Sequence, residues 1–316
     1  MQSIDSQLQD YVSKDYVYQI VGLGRIFFAA CNSGLSRSDD GGQTWQTAFR
    51  SLELSEPLPT ITVAISPNFE HDPRLFVGLS GGIFRSLDGG QAWENILLPP
   101  PPPVISSLVF SPNFEQDGIV FAATMEDGVL YSSDRGDSFV TWNFGLLDLN
   151  ILCLAISPNF AEDETVFAGT QSGIFRSTNG GRAWREIDLP VGYETVLCLA
   201  LSPDFSRDGI LLAGTETRGL LLSTDKGDSW QQVGEDEFTM AVNAVVLSQD
   251  FVTRQEILVL HSGSLYHSVD RGDTWTPWRE NSLADKDVTA VLAPKGFDPG
   301  VLVLIGLANG EVVTCV

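Results

Sequence analysis

The stretch GIFRSLDGGQAW, residues 82–93, decides the fold, because its kernel is written six times along the chain. That kernel is Ser-x-Asp-x-Gly-x-x-Trp, here Ser86, Asp88, Gly90 and Trp93. It stands first at Ser38, Asp40, Gly42 and Trp45, and after residue 93 at Ser132, Asp134, Gly136 and Phe139. It returns at Ser177, Asn179, Gly181 and Trp184, at Ser223, Asp225, Gly227 and Trp230, and at Ser268, Asp270, Gly272 and Trp275. The serines lie 48, 46, 45, 46 and 45 residues apart. A second motif, Ser-Pro-Asn-Phe, starts at Ser66, Ser111 and Ser157. It becomes Ser-Pro-Asp-Phe at Ser202 and Ser-Gln-Asp-Phe at Ser248, and fades to Ala293-Pro294-Lys295-Gly296-Phe297. Two interleaved motifs that keep one period mark a repeat architecture.

Each period holds four short runs rich in Val, Ile, Leu, Phe and Trp, bounded by Gly, Pro, Asn and Asp, as strands are. In the second unit they are residues 61–66, 75–79, 82–86 and 92–97. The first run of each unit is the most apolar (TVAIS, SLVFS, LCLAIS, LCLALS, NAVVLS, TAVLA), which suits a strand near the centre of the molecule. Nothing between the runs has helical period or length. Four antiparallel strands repeating every 40–50 residues predict β-propeller blades. The 316 residues hold about seven such periods, so the expected fold is all-β: one seven-bladed propeller over residues 1–316. Only six units carry the aromatic outer strand, and the last has three runs. The N-terminal segment, residues 1–14, is expected to supply the missing strand near 6–13 and so remove an open edge.

The Ser-x-Asp-x-Gly-x-x-Trp units resemble the Asp-box, or BNR, repeat of sialidase-like propellers. That superfamily includes xyloglucanase-type glycoside hydrolases, sortilin-type receptors and photosystem II assembly factors. In size and layout this chain is most similar to the single propellers of the assembly-factor branch. The resemblance implies that the box is a hairpin turn between third and fourth strands. The residue types agree: Asp accepts turn N–H groups, Gly permits positive φ, and the following aromatic packs between blades. Asn179 keeps the turn bond without the charge, so the six boxes are read as structural.

Charge narrows the function. Asp and Glu number 41 against 18 Lys and Arg, a net charge of −23, which repels phosphate backbones and anionic lipid. No nucleic acid is expected as a partner, and no apolar run is long enough for membrane insertion. The first twenty residues show no basic start followed by an apolar run, so no signal peptide is read and a cytoplasmic location is expected. Cys31, Cys153, Cys198 and Cys315 are far apart, which disfavours a disulfide framework or zinc site. His71, His261 and His267 are the only histidines, which limits histidine metal sites and Ser-His-Asp chemistry.

Gly78, Ser80 and Gly82 match the G-x-S-x-G pattern, but no helix follows. The Asn-Phe-x-x-Asp loops offer too few oxygens for calcium and read as turn caps. Sialidase chemistry needs three converging arginines; Arg37, Arg85 and Arg176 instead share one repeat position on the third strand. Xyloglucanase-type enzymes set two propellers across a cleft, and this chain supplies one. No catalytic residue, metal ligand or cofactor is therefore assigned. The segments freed from the repeat are the connectors between blades, where recognition can vary. They carry the candidate partner-binding residues Phe144, Tyr193, Glu235, Asp236, Glu237, Phe238 and Arg279. The expected function is a monomeric, non-enzymatic scaffold that binds a protein partner, one of basic character, through the connector face. The alternative is a glycoside hydrolase or glycan-binding propeller.

Overall fold

The computed structural model describes residues 15–315. It is a seven-bladed propeller: six antiparallel sheets of four strands and, among the described residues, a three-stranded last sheet. Blade 4 is typical, with strands Ile151–Ile156, Val166–Thr170, Ile174–Ser177 and Arg185–Ile187. The second-unit runs fall at Thr60–Ile65, Leu75–Leu79, Gly82–Ser86 and Glu94–Ile96. Blade 7 comprises Val288–Leu292, Val303–Leu307 and Val312–Cys315. The segment expected to complete it, near 6–13, lies outside the described residues.

The joint between blades is built on the first strand. In every blade the pairing of first and second strands slips by one residue near the connector end. The bulged residues are Tyr18, Ile61, Ser106, Leu152, Leu197, Asn243 and Thr289, and all seven line the central channel. Immediately before each bulge stands a β-branched residue: Val17, Thr60, Ile105, Ile151, Val196, Val242 or Val288, none more than 4% exposed. Ile105, Val196, Val242 and Val17 each meet a second-strand glycine of the preceding blade, where little room remains. A Cβ at Gly169 would stand 2.5 Å from Cys153 Sγ and 2.8 Å from Val196 Cγ1. Gly306 faces Val17 in the same way, at 2.6 Å, so blade 7 meets blade 1 by the device used elsewhere. Hydrogen bonds follow the same path: Thr289 donates to Val17 O at 2.8 Å, and Gln19 Oε1 accepts from Thr62 Oγ1 and Val63 N, each at 2.9 Å. The Cys153 and Cys198 thiols point at Val196 O and Val242 O at 3.7 and 3.6 Å, and burial pushes the Cys198 thiol up to about 12. They are packing residues of the joint.

On the opposite face the repeat turns form a second joint. Ser86 Oγ donates to Asp88 Oδ1 (2.8 Å) and accepts from Gly90 N (2.8 Å); Asp88 Oδ1 also accepts from Gln91 N and Ala92 N. The serine-to-Asp and glycine-to-serine bonds recur in all six turns, with Asn179 in place of Asp. The turn glycine also seats the turn on the preceding blade: Cβ atoms at Gly90 and Gly181 would lie 2.9 and 2.7 Å from Phe28 and Phe121. Gly42 faces Leu304 and Thr314 of blade 7. The third-strand arginines add ion pairs across this joint. Arg85 reaches Asp137 at 2.5 Å and Arg176 reaches Asp228 at 2.7 Å, each in the turn of the next blade.

One-turn helices at Phe114–Asp117, Phe160–Asp163, Phe205–Asp208 and Phe251–Arg254 fill the loops after the first strands, where the sequence shows no helical period. Each starts on a phenylalanine at most 3% exposed, and in the first three the closing Asp accepts from the loop serine at 2.5–2.6 Å.

Gly169→Val, at a position with no positive φ, should therefore cost about 1–3 kcal/mol by overpacking. Gly81→Ala, with nothing within 4 Å, should stay within about 0.5 kcal/mol. Denaturant unfolding of both variants checks the contrast.

The turns also set a pH dependence. The Thr44 hydroxyl and N–H, with the Ser38 hydroxyl and the Gln43 N–H, lower the Asp40 carboxyl to about 2, and Asp225 and Asp270 are lowered by Ser229 and Thr274 in the same way. A carboxyl depressed in the folded state stabilises above its unfolded value of about 3.9 and loses that contribution as pH falls. The melting temperature should drop between pH 4 and about 2, and drop less in Asp40→Asn. At neutral pH, Asp88→Ala should cost about 1–2 kcal/mol through lost turn bonds.

Candidate partner-binding face

The turns and short helices share one face; the other carries the second-to-third-strand hairpins and the connectors. The connectors follow a common rule. Each sends an apolar anchor inward, and five of the six also turn a second apolar side chain to solvent. In the connector after blade 1, Leu52 and Leu58 pack on the core while Leu54 is 45% exposed. Leu98 packs inward before the prolines, and its neighbour Leu97 is 88% exposed. Leu146 is buried between Phe144 and Leu147, which are 80% and 79% exposed. Leu189 and Val191 are covered while Tyr193 is 82% exposed. Phe238 is buried and Met240 is 61% exposed. The last connector buries Trp278 and Leu283 and exposes no large apolar side chain.

The backbone that presents Phe144 is fixed by the neighbouring blade. Phe144 O accepts from Trp184 N at 2.8 Å, and a Cβ at Gly145 would collide with Trp184 O. Two connector carboxylates cap the neighbouring hairpins. Asp148 Oδ2 accepts from Ser172 N and Oγ at 3.0 and 2.8 Å. Glu194, 8% exposed, takes Thr217 N at 2.7 Å and Thr217 Oγ1 at 2.8 Å, one blade further on. Burial opposes the charge on Asp148, but the Asn150 N–H and the Ser172 and Thr170 hydroxyls outweigh it, and its pKa is lowered. These acids serve the fold, and sequence reasoning missed them because acid and hairpin are 24 and 23 residues apart.

Of the residues expected on this face, Phe144 and Tyr193 are exposed, and so are Glu235, Asp236 and Glu237. Phe238 corrects the expectation. At 1% exposure it is the anchor of the acidic loop, inserted among Trp275, His261 and Tyr266 with ring centroids at 4.8, 5.4 and 5.6 Å. The bulk of an aromatic ring is better used in that cage than in water. Arg279 is half-buried and lies over the Trp278 ring at 4.6 Å. Leu97, Leu147 and Met240 were not singled out in the sequence; their place beside an anchor is the signal.

At the centre, a channel of about 400 Å³ is lined by all seven first strands. Its lining includes Tyr18, Gln19, Ser107, Asn243 and Thr289, and no Asp, Glu, His, Lys or Arg among the described residues. Ser80 sits in a tight hairpin between two strands, without the helix a nucleophile elbow requires.

No family model matches the chain, and no curated protein matches it. Solved structures show the fold. YCF48 bound to D1 peptide superposes with TM-score 0.72 at 18% identity, over 96% of this chain and 94% of that one. YCF48 from Cyanidioschyzon merolae gives 0.69 at 15%, over 96% of each chain. An ancestral GH74 enzyme gives 0.72 at 18%, over 95% of this chain but 44% of its own.

The exposure pattern separates surface from anchor in one experiment. Phe144→Ser and Tyr193→Ser should each change unfolding free energy by no more than about 0.5 kcal/mol. Phe238→Ala should cost about 3–5 kcal/mol. Chemical denaturation of the three variants measures the difference.

Proposed function

We propose that this chain is a non-catalytic Asp-box propeller that docks a protein partner on its connector face. The observation that carries the reading is the set of apolar side chains turned outward there. Leu97, Phe144, Leu147, Tyr193 and Met240 are the five most exposed large hydrophobic residues described, and all lie in four consecutive connectors. Apolar side chains concentrated on one face are a mark of protein–protein contact. The turn face exposes fewer and smaller ones, Leu87, Val252 and Val269 at 49–60%. The likeness to YCF48, described bound to a peptide, supports a protein ligand for this layout. The exposed acids Glu235, Asp236 and Glu237, within a chain of net charge −23, favour a basic partner and speed its approach.

Affinity capture from the native source tests this with paired baits. Phe144→Ser/Leu147→Ser/Tyr193→Ser should lose the partner that the unaltered chain retains. Glu235→Lys/Asp236→Lys/Glu237→Lys should weaken capture and flatten its salt dependence. A hydrolysis screen over sialosides, β-glucans and xyloglucan oligosaccharides should show no turnover. Turnover abolished by changing one connector carboxylate would place the glycoside hydrolase reading first.

A further inference from the structure

The last connector departs from the rule of the others, and a cavity lies where it does. Between the hairpin of blade 6 and the helix Glu280–Leu283 is a space of about 490 Å³. Tyr266, Trp278, Leu265 and Leu283 give it apolar walls; Glu280, Asp285 and Asp287 line it with carboxylates, against the ammonium of Lys286 and, beside the lining, the guanidinium of Arg279 over the Trp278 ring at 4.6 Å. The backbone around it is unusual. Among the described residues, ten non-glycine residues have positive φ. Five of them fall at repeat positions filled by glycine in sister blades: Arg135, Lys226 and Arg271 in the turns, Glu164 and Gln255 after the short helices. Of the other five, Ser262, Arg279 and Asp285 lie at this cavity or next to its lining.

We infer that this cavity receives one basic side chain, Arg or Lys, of the docked partner, an inference that rests on the connector-face reading above. The chemistry of the walls selects it. A long aliphatic stem fits along Leu265, Leu283 and the aromatic rings, and its cationic head meets an excess of carboxylates. A neutral sugar would use the rings and leave the charge excess without purpose. The cavity also completes the face: the connectors of blades 1 to 5 offer apolar contact, and the sixth offers a socket for a charge.

The probe is acetyl-arginine methylamide, titrated into the full chain with methyl NMR of Leu265 and Leu283 as the readout, beside its neutral citrulline analogue and cellotetraose. The arginine probe should shift these methyls saturably, with Kd in the millimolar range, about that of a single weak contact. Asp285→Asn/Asp287→Asn should weaken it at least about tenfold, and citrulline should give no saturable shift. Phe144→Ser/Leu147→Ser/Tyr193→Ser should leave the probe unaffected. Linear, unsaturating shifts spread over the acidic surface would mean diffuse attraction only and overturn the inference. So would equal binding of citrulline, or saturation by cellotetraose alone. If the triple variant still captures the partner, the connector-face reading has failed, whatever the probe does. If capture is lost but the probe does not saturate, the socket alone has failed.

Discussion

The contact on which the molecule depends is small: a β-branched residue at the head of each first strand, pressed against the second strand of the blade before it. Glycine opposite Val196, Val242 and Val17 brings the backbones close enough for that side chain to fill the joint. The bulge that follows turns one residue into the channel and so bends the first strand away from its neighbour. Seven repeats of this step close the ring, and the Gly306–Val17 contact shows that closure uses no separate device among the described residues. The turn glycines against Phe28 and Phe121 repeat the arrangement at the far end of the blades. Blades 1 to 5 are thereby pinned to the preceding blade at both ends of their height.

This pinning divides the two faces by function. On the turn face, serine, aspartate, glycine and aromatic residues are committed to hydrogen bonds and interblade contacts, and Arg85 and Arg176 are committed to the next turn. Little there is free to vary. On the connector face the chain needs only one anchor per crossing, and the remaining positions are released. Anchors as different as Leu146 and Phe238 meet that need, each below 7% exposure. What the connectors present outward is thus independent of what holds them down, which is the condition for evolving a binding surface on a fixed frame.

The repeat made the blade number and the strand order legible, because serine spacing and apolar runs are local signals. Three things were not. A one-residue bulge leaves no mark in a pattern read by alternation, although the β-branched residue ahead of it recurs in all seven units. The helices beginning at Phe114, Phe160, Phe205 and Phe251 are one turn long, too short for a 3.6-residue period to show. The connectors are the third. Phe238 and Met240 are both apolar and two apart, and nothing in eight irregular residues says which turns inward. The answer depends on the cage of Tyr266, His261 and Trp275, contributed by the neighbouring blade. Asp148 and Glu194 were hidden for the same reason, since their hairpins are distant in the chain.

The closed ring of like joints bears on time as well as on stability. An open stack of repeats has end units with one neighbour, and those fray first. In a closed ring every blade is held on two sides. When one joint opens, the other six keep its two faces aligned, so the chain gains little freedom and the joint re-forms. A blade can leave only after a second joint has opened while the first is still apart. Such a molecule resists escape from the native state more than its equilibrium free energy implies, and its working lifetime is governed by the rate of that double opening.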